Sequence, residues 1–147
     1  MKLEKLFGTF FGIGYFPIAP ATLASLVIIV LLYLLQLNNF LLLVISAGLF
    51  FSGARLANTL EREIGSDPKI FVLDEVSAMI VAVLFLPRTI TFYLLAFAFF
   101  RIFDILKPYP ISSLERVKNG YGVMLDDLLS GVCANLVLQI GRFIFRL

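Results

Sequence analysis

The sequence predicts an all-α integral membrane bundle of about five hydrophobic helices, two of them short. Two observations carry that expectation: an extreme apolar composition, and five apolar runs separated by brief polar segments. Of the 147 residues, 61% are hydrophobic and only 15% are charged. A soluble domain carries about 45–50% and about 25% respectively. A soluble domain of this length has too little interior to hide so much apolar surface, so lipid is the expected solvent. The length also predicts a single domain over residues 1–147.

Met1-Lys2-Leu3-Glu4-Lys5-Leu6-Phe7 is too polar for the apolar core of a signal peptide. Residues 8–22 are rich in glycine and proline and are predicted not to form a regular helix. The first apolar run is Leu23–Leu37, and Asn38-Asn39 interrupts it as a polar turn. The second is Phe40–Ala57, followed by a polar stretch from Asn58 to Lys69. The third, Val76–Leu86, starts just after Asp74-Glu75 and stops at Pro87-Arg88. The fourth, Ile90–Phe103, leads into a polar segment from Asp104 to Asp127, and the fifth is Leu128–Ile140, extended toward Phe145. A full span needs about 20 apolar residues. The first two runs approach that length. The third and fourth fall short, which leaves re-entrant, tilted and buried placements open. The chain shows no internal repeat and no low-complexity segment.

Charge sets an orientation. With the N-terminus in the cytoplasm, Arg62, Lys69, Lys107, Arg116 and Lys118 all fall on the inner side, as the positive-inside rule requires. Arg142 and Arg146 at the other end weakly disagree. Nearly every acidic residue then shares the inner face. The net charge of +2, with basic residues scattered singly, excludes a nucleic-acid partner.

The residue inventory narrows the chemistry. There is no histidine and one cysteine, Cys133, which sits in an apolar run and reads as a small hydrophobe. An intramolecular disulfide, a histidine base and a histidine metal ligand are all excluded. A metal would be held mainly by carboxylate and water oxygens, which favours a hard cation such as magnesium.

Three acidic groups stand out: Asp74-Glu75, Asp104 near Lys107, and Asp126-Asp127. Taken singly, an acid pair at the start of a helix is well explained as a cap. Taken together, they concentrate five of only 10 acids at one membrane face. Crowded carboxylates repel unless a cation lies between them. Such a cation can activate water or clamp phosphoryl oxygens. Arg101, Asp104 and Lys107 recur every three residues, so they share a helix side before Pro108 and Pro110 end the helix. Arg101 as a fork and Lys107 as a point charge suit a phosphate. An ion pair with Asp104 and a snorkelling lysine explain the same spacing. Gly12-Ile13-Gly14 and Gly120-Tyr121-Gly122 offer backbone N–H groups to an anion or simply make turns. Thr22 and Ser25 add hydroxyls near the first helix, where Thr22 reads equally as a cap.

These residues resemble the phosphatidylglycerophosphatase A family. Four motifs appear in that family's order: Gly12-Ile13-Gly14-Tyr15-Phe16-Pro17-Ile18-Ala19-Pro20; Val72-Leu73-Asp74-Glu75; Phe100-Arg101-Ile102-Phe103-Asp104-Ile105-Leu106-Lys107-Pro108-Tyr109-Pro110-Ile111; and Gly120-Tyr121-Gly122-Val123-Met124-Leu125-Asp126-Asp127, with Gly131 beyond. The resemblance implies an all-helical membrane hydrolase that depends on magnesium and acts in bacterial glycerophospholipid synthesis. Its implied substrate is phosphatidylglycerophosphate, and its implied location is the bacterial inner membrane with the site facing the cytoplasm. It supports Asp74, Glu75, Asp104, Asp126 and Asp127 as site residues, with Arg101 and Lys107 beside them; the expected division puts Asp74, Glu75, Asp126 and Asp127 on the metal and Asp104, Asp127, Arg101 and Lys107 in catalysis. Arg101, Lys107, Thr22 and Ser25 are then the expected phosphate contacts. The chain departs from the family's usual Pro-Gly-Thr and Gly-Ser at Pro20-Ala21-Thr22 and Ala24-Ser25, and Ala78 replaces a usual glycine. A positive φ at Ala21 would make its substitution costly.

Two other classes compete. A phospholipid headgroup transferase would use metal-bound aspartates, but the spaced Asp-Gly motif expected of it is absent. A small ion-coupled transporter would place ionisable residues near mid-membrane on broken helices, whereas here they gather at segment ends. Oligomeric state is not encoded in any of these features.

Overall fold

A computed structural model describes residues 3–65 and 68–146 of the chain. Ser66 and Asp67, in the polar stretch after the second apolar run, lie outside the described residues, as do Met1 and Lys2. The described residues form seven α-helices: α1 Leu3–Gly8, α2 Pro20–Leu35, α3 Asn39–Ile64, α4 Leu73–Val83, α5 Ile90–Leu106, α6 Ile111–Leu114 and α7 Tyr121–Phe145. No strand occurs among them, so the all-α expectation holds. The helices α3 and α7 are long and apolar enough to cross a membrane. Large apolar side chains such as Phe40, Val44, Phe51 and Leu136 point away from the protein interior, as lipid contact requires.

The short helix α4 is the centre of the bundle. It packs on α7 most extensively, and also on α2, α3 and α5. Ten of its 11 residues are buried. A helix that is apolar on every side is a core helix, which settles the open placement of the third run in favour of burial among its neighbours. The fourth run is longer than expected, because α5 reaches 17 residues and matches the 16 of α2.

Polar contacts fix the vertical register. Ser46 Oγ on α3 donates to the Ser77 carbonyl on α4 at 3.2 Å. At one end, the Phe85 N–H donates to Asn39 Oδ1 at 3.1 Å. Gly53 of α3 lies against Leu73 and Met124. The rise from Asn39 to Gly53 is about 21 Å of helix, so α4 covers only the N-terminal half of α3. Its acidic start therefore lies partway along α3, recessed below that helix's polar end.

Several local expectations are revised. Asn38 caps α3, its Oδ1 accepting the Leu41 N–H at 2.8 Å. The stretch from Asn58 continues as helix to Ile64. Residues 8–22 are not entirely irregular, because α2 begins at Pro20, whose missing N–H costs nothing in a first turn. Thr22 is consequently inside the helix and Ala19 is its N-cap. Positive φ values in this stretch fall on Phe10, Phe11, Gly12 and Ala19, and Ala21 is helical. The Ala21 departure therefore carries no backbone strain.

Candidate metal and phosphate site

The start of α4, the end of α5 and the second turn of α7 bring the acidic groups together. Asp74 and Glu75 occupy the first turn of α4, as expected for acids at a helix start. Asp126 and Asp127 do not. The helix α7 begins at Tyr121, so these two lie more than one turn inside it and cannot cap its free N–H groups. All four side chains are buried, between 4% and 7% exposed.

One carboxylate oxygen from each of Asp74, Glu75 and Asp127 falls within 4.8 Å of the others. Glu75 Oε2 and Asp127 Oδ2 are buried without a hydrogen-bond partner. Unpaired buried carboxylate oxygens carry a large desolvation cost. Three buried carboxylates converging from two helices, two of them with such an oxygen, make an arrangement that a hard cation relieves. The donor set is all oxygen, which fits magnesium or calcium rather than a softer metal.

Asp126 is oriented differently from its neighbour. Its Oδ1 accepts the Asp127 N–H at 2.9 Å, and its Oδ2 accepts from Lys107 Nζ at 2.8 Å. Lys107 also donates to Glu115. Its backbone explains the reach: α5 stops at Leu106, and Lys107 turns into the left-handed region at φ 42°. The expected shared side with Arg101 and Asp104 is thereby broken one residue too early. Burial opposes the Lys107 charge, but hydrogen bonds to Asp126 and Glu115 outweigh it and hold the ammonium's pKa above the ordinary lysine value. The stabilisation from this charge is present at and below the ordinary lysine pKa. It is lost only as pH rises through the raised value.

Arg101 Nη1 lies 2.6 Å from Asp104 Oδ2, and both side chains are largely buried. Arg101 Nε is buried with no hydrogen-bond partner. A cavity of about 490 Å³ opens over the cluster, lined by Glu61, Asp74, Glu75, Asp104, Lys107, Glu115, Val117, Val123, Asp126 and Asp127. Arg101 is not on its wall and touches it through Asp104. Thr22 and Ser25 are not on it either, and Ser25 Oγ donates to the Ala21 carbonyl of its own helix at 2.9 Å. Glu61 and Glu115 line the cavity although sequence reasoning did not single them out. The available signal was their position in the two polar segments assigned to the same face as the acid pairs.

The glycines near the site serve packing. A Cβ at Gly120 would stand 2.2 Å from the Ala54 carbonyl oxygen, at Gly122 2.3 Å from that of Val117, and at Gly14 1.8 Å from that of Ile70. These backbones approach other backbones on the side a Cβ would occupy, whereas Gly12 has open space there. A Cβ at Gly131 would lie 2.5 Å from the Ala78 carbonyl oxygen. That contact brings α7 onto α4 and sets Asp127 beside Asp74 and Glu75.

Comparison with known proteins agrees with this geometry. The family model described as Phosphatidylglycerophosphatase A matches residues 6–142. A Bacteroides thetaiotaomicron protein, provisionally named a phosphatidylinositol-3-phosphatase, is 39% identical over 97% of this chain and 95% of its own. The Haemophilus influenzae Phosphatidylglycerophosphatase A is 36% identical over 87% of this chain and 82% of its own. The Escherichia coli protein of that name is 35% identical, over 87% and 77%. No solved structure matches the chain. With the matched residues containing the whole acidic cavity, this chain belongs to the phosphatidylglycerophosphatase A family.

Proposed function

We propose that the protein hydrolyses the phosphomonoester of phosphatidylglycerophosphate, giving phosphatidylglycerol and phosphate, with magnesium bound by Asp74, Glu75 and Asp127. The convergence of those three buried carboxylates, two with unpaired oxygens, is the observation that carries the reading. Family membership supports a phosphatase, and two of the named relatives support this lipid substrate. The proposed setting is the bacterial inner membrane, with several spans and the cavity facing the cytoplasm. Arg62, Lys107, Arg116 and Lys118 on the side of the cavity agree with that orientation.

When bound, magnesium would neutralise phosphoryl oxygens and acidify a coordinated water. The remaining roles belong to the chain. Lys107 offers a fixed positive charge to the phosphoryl group, and burial strengthens that attraction. Asp104 lines the cavity and takes a proton from the attacking water. Arg101 holds Asp104 in place through their contact. As the water oxygen bonds to phosphorus, the phosphorus–glycerol oxygen bond breaks. The departing oxygen takes the proton that Asp104 accepted from the water, becoming the hydroxyl of phosphatidylglycerol and returning Asp104 to its starting state. Asp126 anchors Lys107 on the cavity wall.

The test is phosphate release from phosphatidylglycerophosphate by the purified protein in detergent. Activity is expected with magnesium, to vanish with a chelator, and to return when magnesium is restored in excess. Release that is indifferent to chelator would end the metal reading. A second reading, phosphatidylinositol-3-phosphate as substrate, is favoured by the 39% identical relative. Parallel assays of the two lipids decide between them by kcat/KM.

A further inference from the structure

The cavity wall carries seven carboxylates, Glu61, Asp74, Glu75, Asp104, Glu115, Asp126 and Asp127, and a single ammonium, Lys107. The two partners of that ammonium are unlike. Asp126 is 5% exposed and buried behind Lys107, whereas Glu115 is 50% exposed and belongs to the turn that follows α6. Glu115 thus occupies the solvent-facing side of Lys107, the side from which a phosphate would arrive. Asp126 and Glu115 take two of the three Lys107 N–H donors, and Glu115 covers the exposed side of the ammonium, so a phosphoryl oxygen approaching from that side competes with the Glu115 carboxylate for it.

We propose that Glu115 is a built-in competitor for the phosphate. It holds Lys107 in the cavity while no phosphate is bound, yields that donor to the substrate phosphoryl group, and recaptures it as inorganic phosphate leaves. Glu115 is therefore a positioning residue that acts through Lys107 and touches neither the ester bond nor the attacking water. The exchange costs little on entry, because an exposed ion pair is weak and Asp126 keeps the lysine in place throughout. It favours exit, because a dianion in a cavity of this charge is drawn back chiefly by Lys107 and the cation. The inference rests on the phosphatase reading above.

The test compares wild type with Glu115→Gln and Glu115→Asp, using phosphatidylglycerophosphate as substrate and inorganic phosphate as inhibitor. Removing the competing charge frees one Lys107 donor and removes one repulsive carboxylate. Glu115→Gln should therefore lower KM and the phosphate inhibition constant together, each on the order of threefold. Glu115→Asp should restore both toward wild type. A residue that merely braced the turn would move both constants the opposite way or leave them alone. Active protein with unchanged or raised constants in Glu115→Gln overturns the competitor role and leaves the phosphatase reading standing. Wild-type protein that releases no phosphate overturns both.

Discussion

Asp126 and Asp127 are neighbours in the chain with different tasks in the bundle. Their side chains leave α7 about 100° apart, so one reaches Lys107 on the cavity wall and the other reaches Asp74 and Glu75 on α4. The sequence shows both as an acid pair and cannot divide them, because the division depends on which neighbour each face of α7 meets. Asp127→Asn tests the assignment. It leaves the shape unchanged and removes one anionic ligand, so turnover with magnesium should fall by about 100-fold. Melting temperature without metal should not fall, since a like charge is removed from a buried cluster. Near-normal phosphate release from purified Asp127→Asn would take Asp127 out of the site. Thr22 and Ser25 illustrate the opposite limit: hydroxyls expected to contact the phosphate that their place in α2 keeps off the cavity wall.

At the scale of elements, α4 shows why a short apolar run resists reading. Its 11 residues carry no face that distinguishes lipid from protein, since four helices surround it. Its C-terminal carbonyls need partners, and α7 supplies them. Asn135 Nδ2 donates to Ala82 and Leu84 at 3.0 and 2.7 Å, and Gln139 Nε2 donates to Leu84 at 3.2 Å. In an apolar bundle such side chains take the place of water. The start of α7 is set just as tightly by Gly120, whose φ of 74° and contact with Ala54 admit no side chain. Gly120→Ala should cost about 2–4 kcal/mol through backbone strain and forced separation from α3. Equilibrium unfolding in mixed micelles reads that loss. Wild-type stability in the variant would show that α3 and α7 do not pack this closely.

On the scale of the whole molecule, apolar side chains cover the flanks while cavity carboxylates gather toward one end. This separation makes orientation testable. Single cysteines at Lys118 and Arg88, in a Cys133→Ala background, should label from opposite sides of sealed membrane vesicles. Position 118 should react from the cytoplasmic side and position 88 from the other. Equal labelling of both from one side would refute the arrangement of spans.

Composition together with the five apolar runs pointed to an all-α, membrane-associated chain, because 61% hydrophobic residues exceed what a soluble domain of this length buries. The order of its motifs determined the family, and oxygen ligands in a histidine-free chain determined the type of metal the site suits. The tertiary structure decided how the acids divide: Asp74, Glu75 and Asp127 converge, Asp126 turns to Lys107, and Glu61 and Glu115 join the wall. Periodicity records which residues share a face of one helix. Only the packing of α4 against α7, at the Ala78 and Gly131 contact, decides which faces meet.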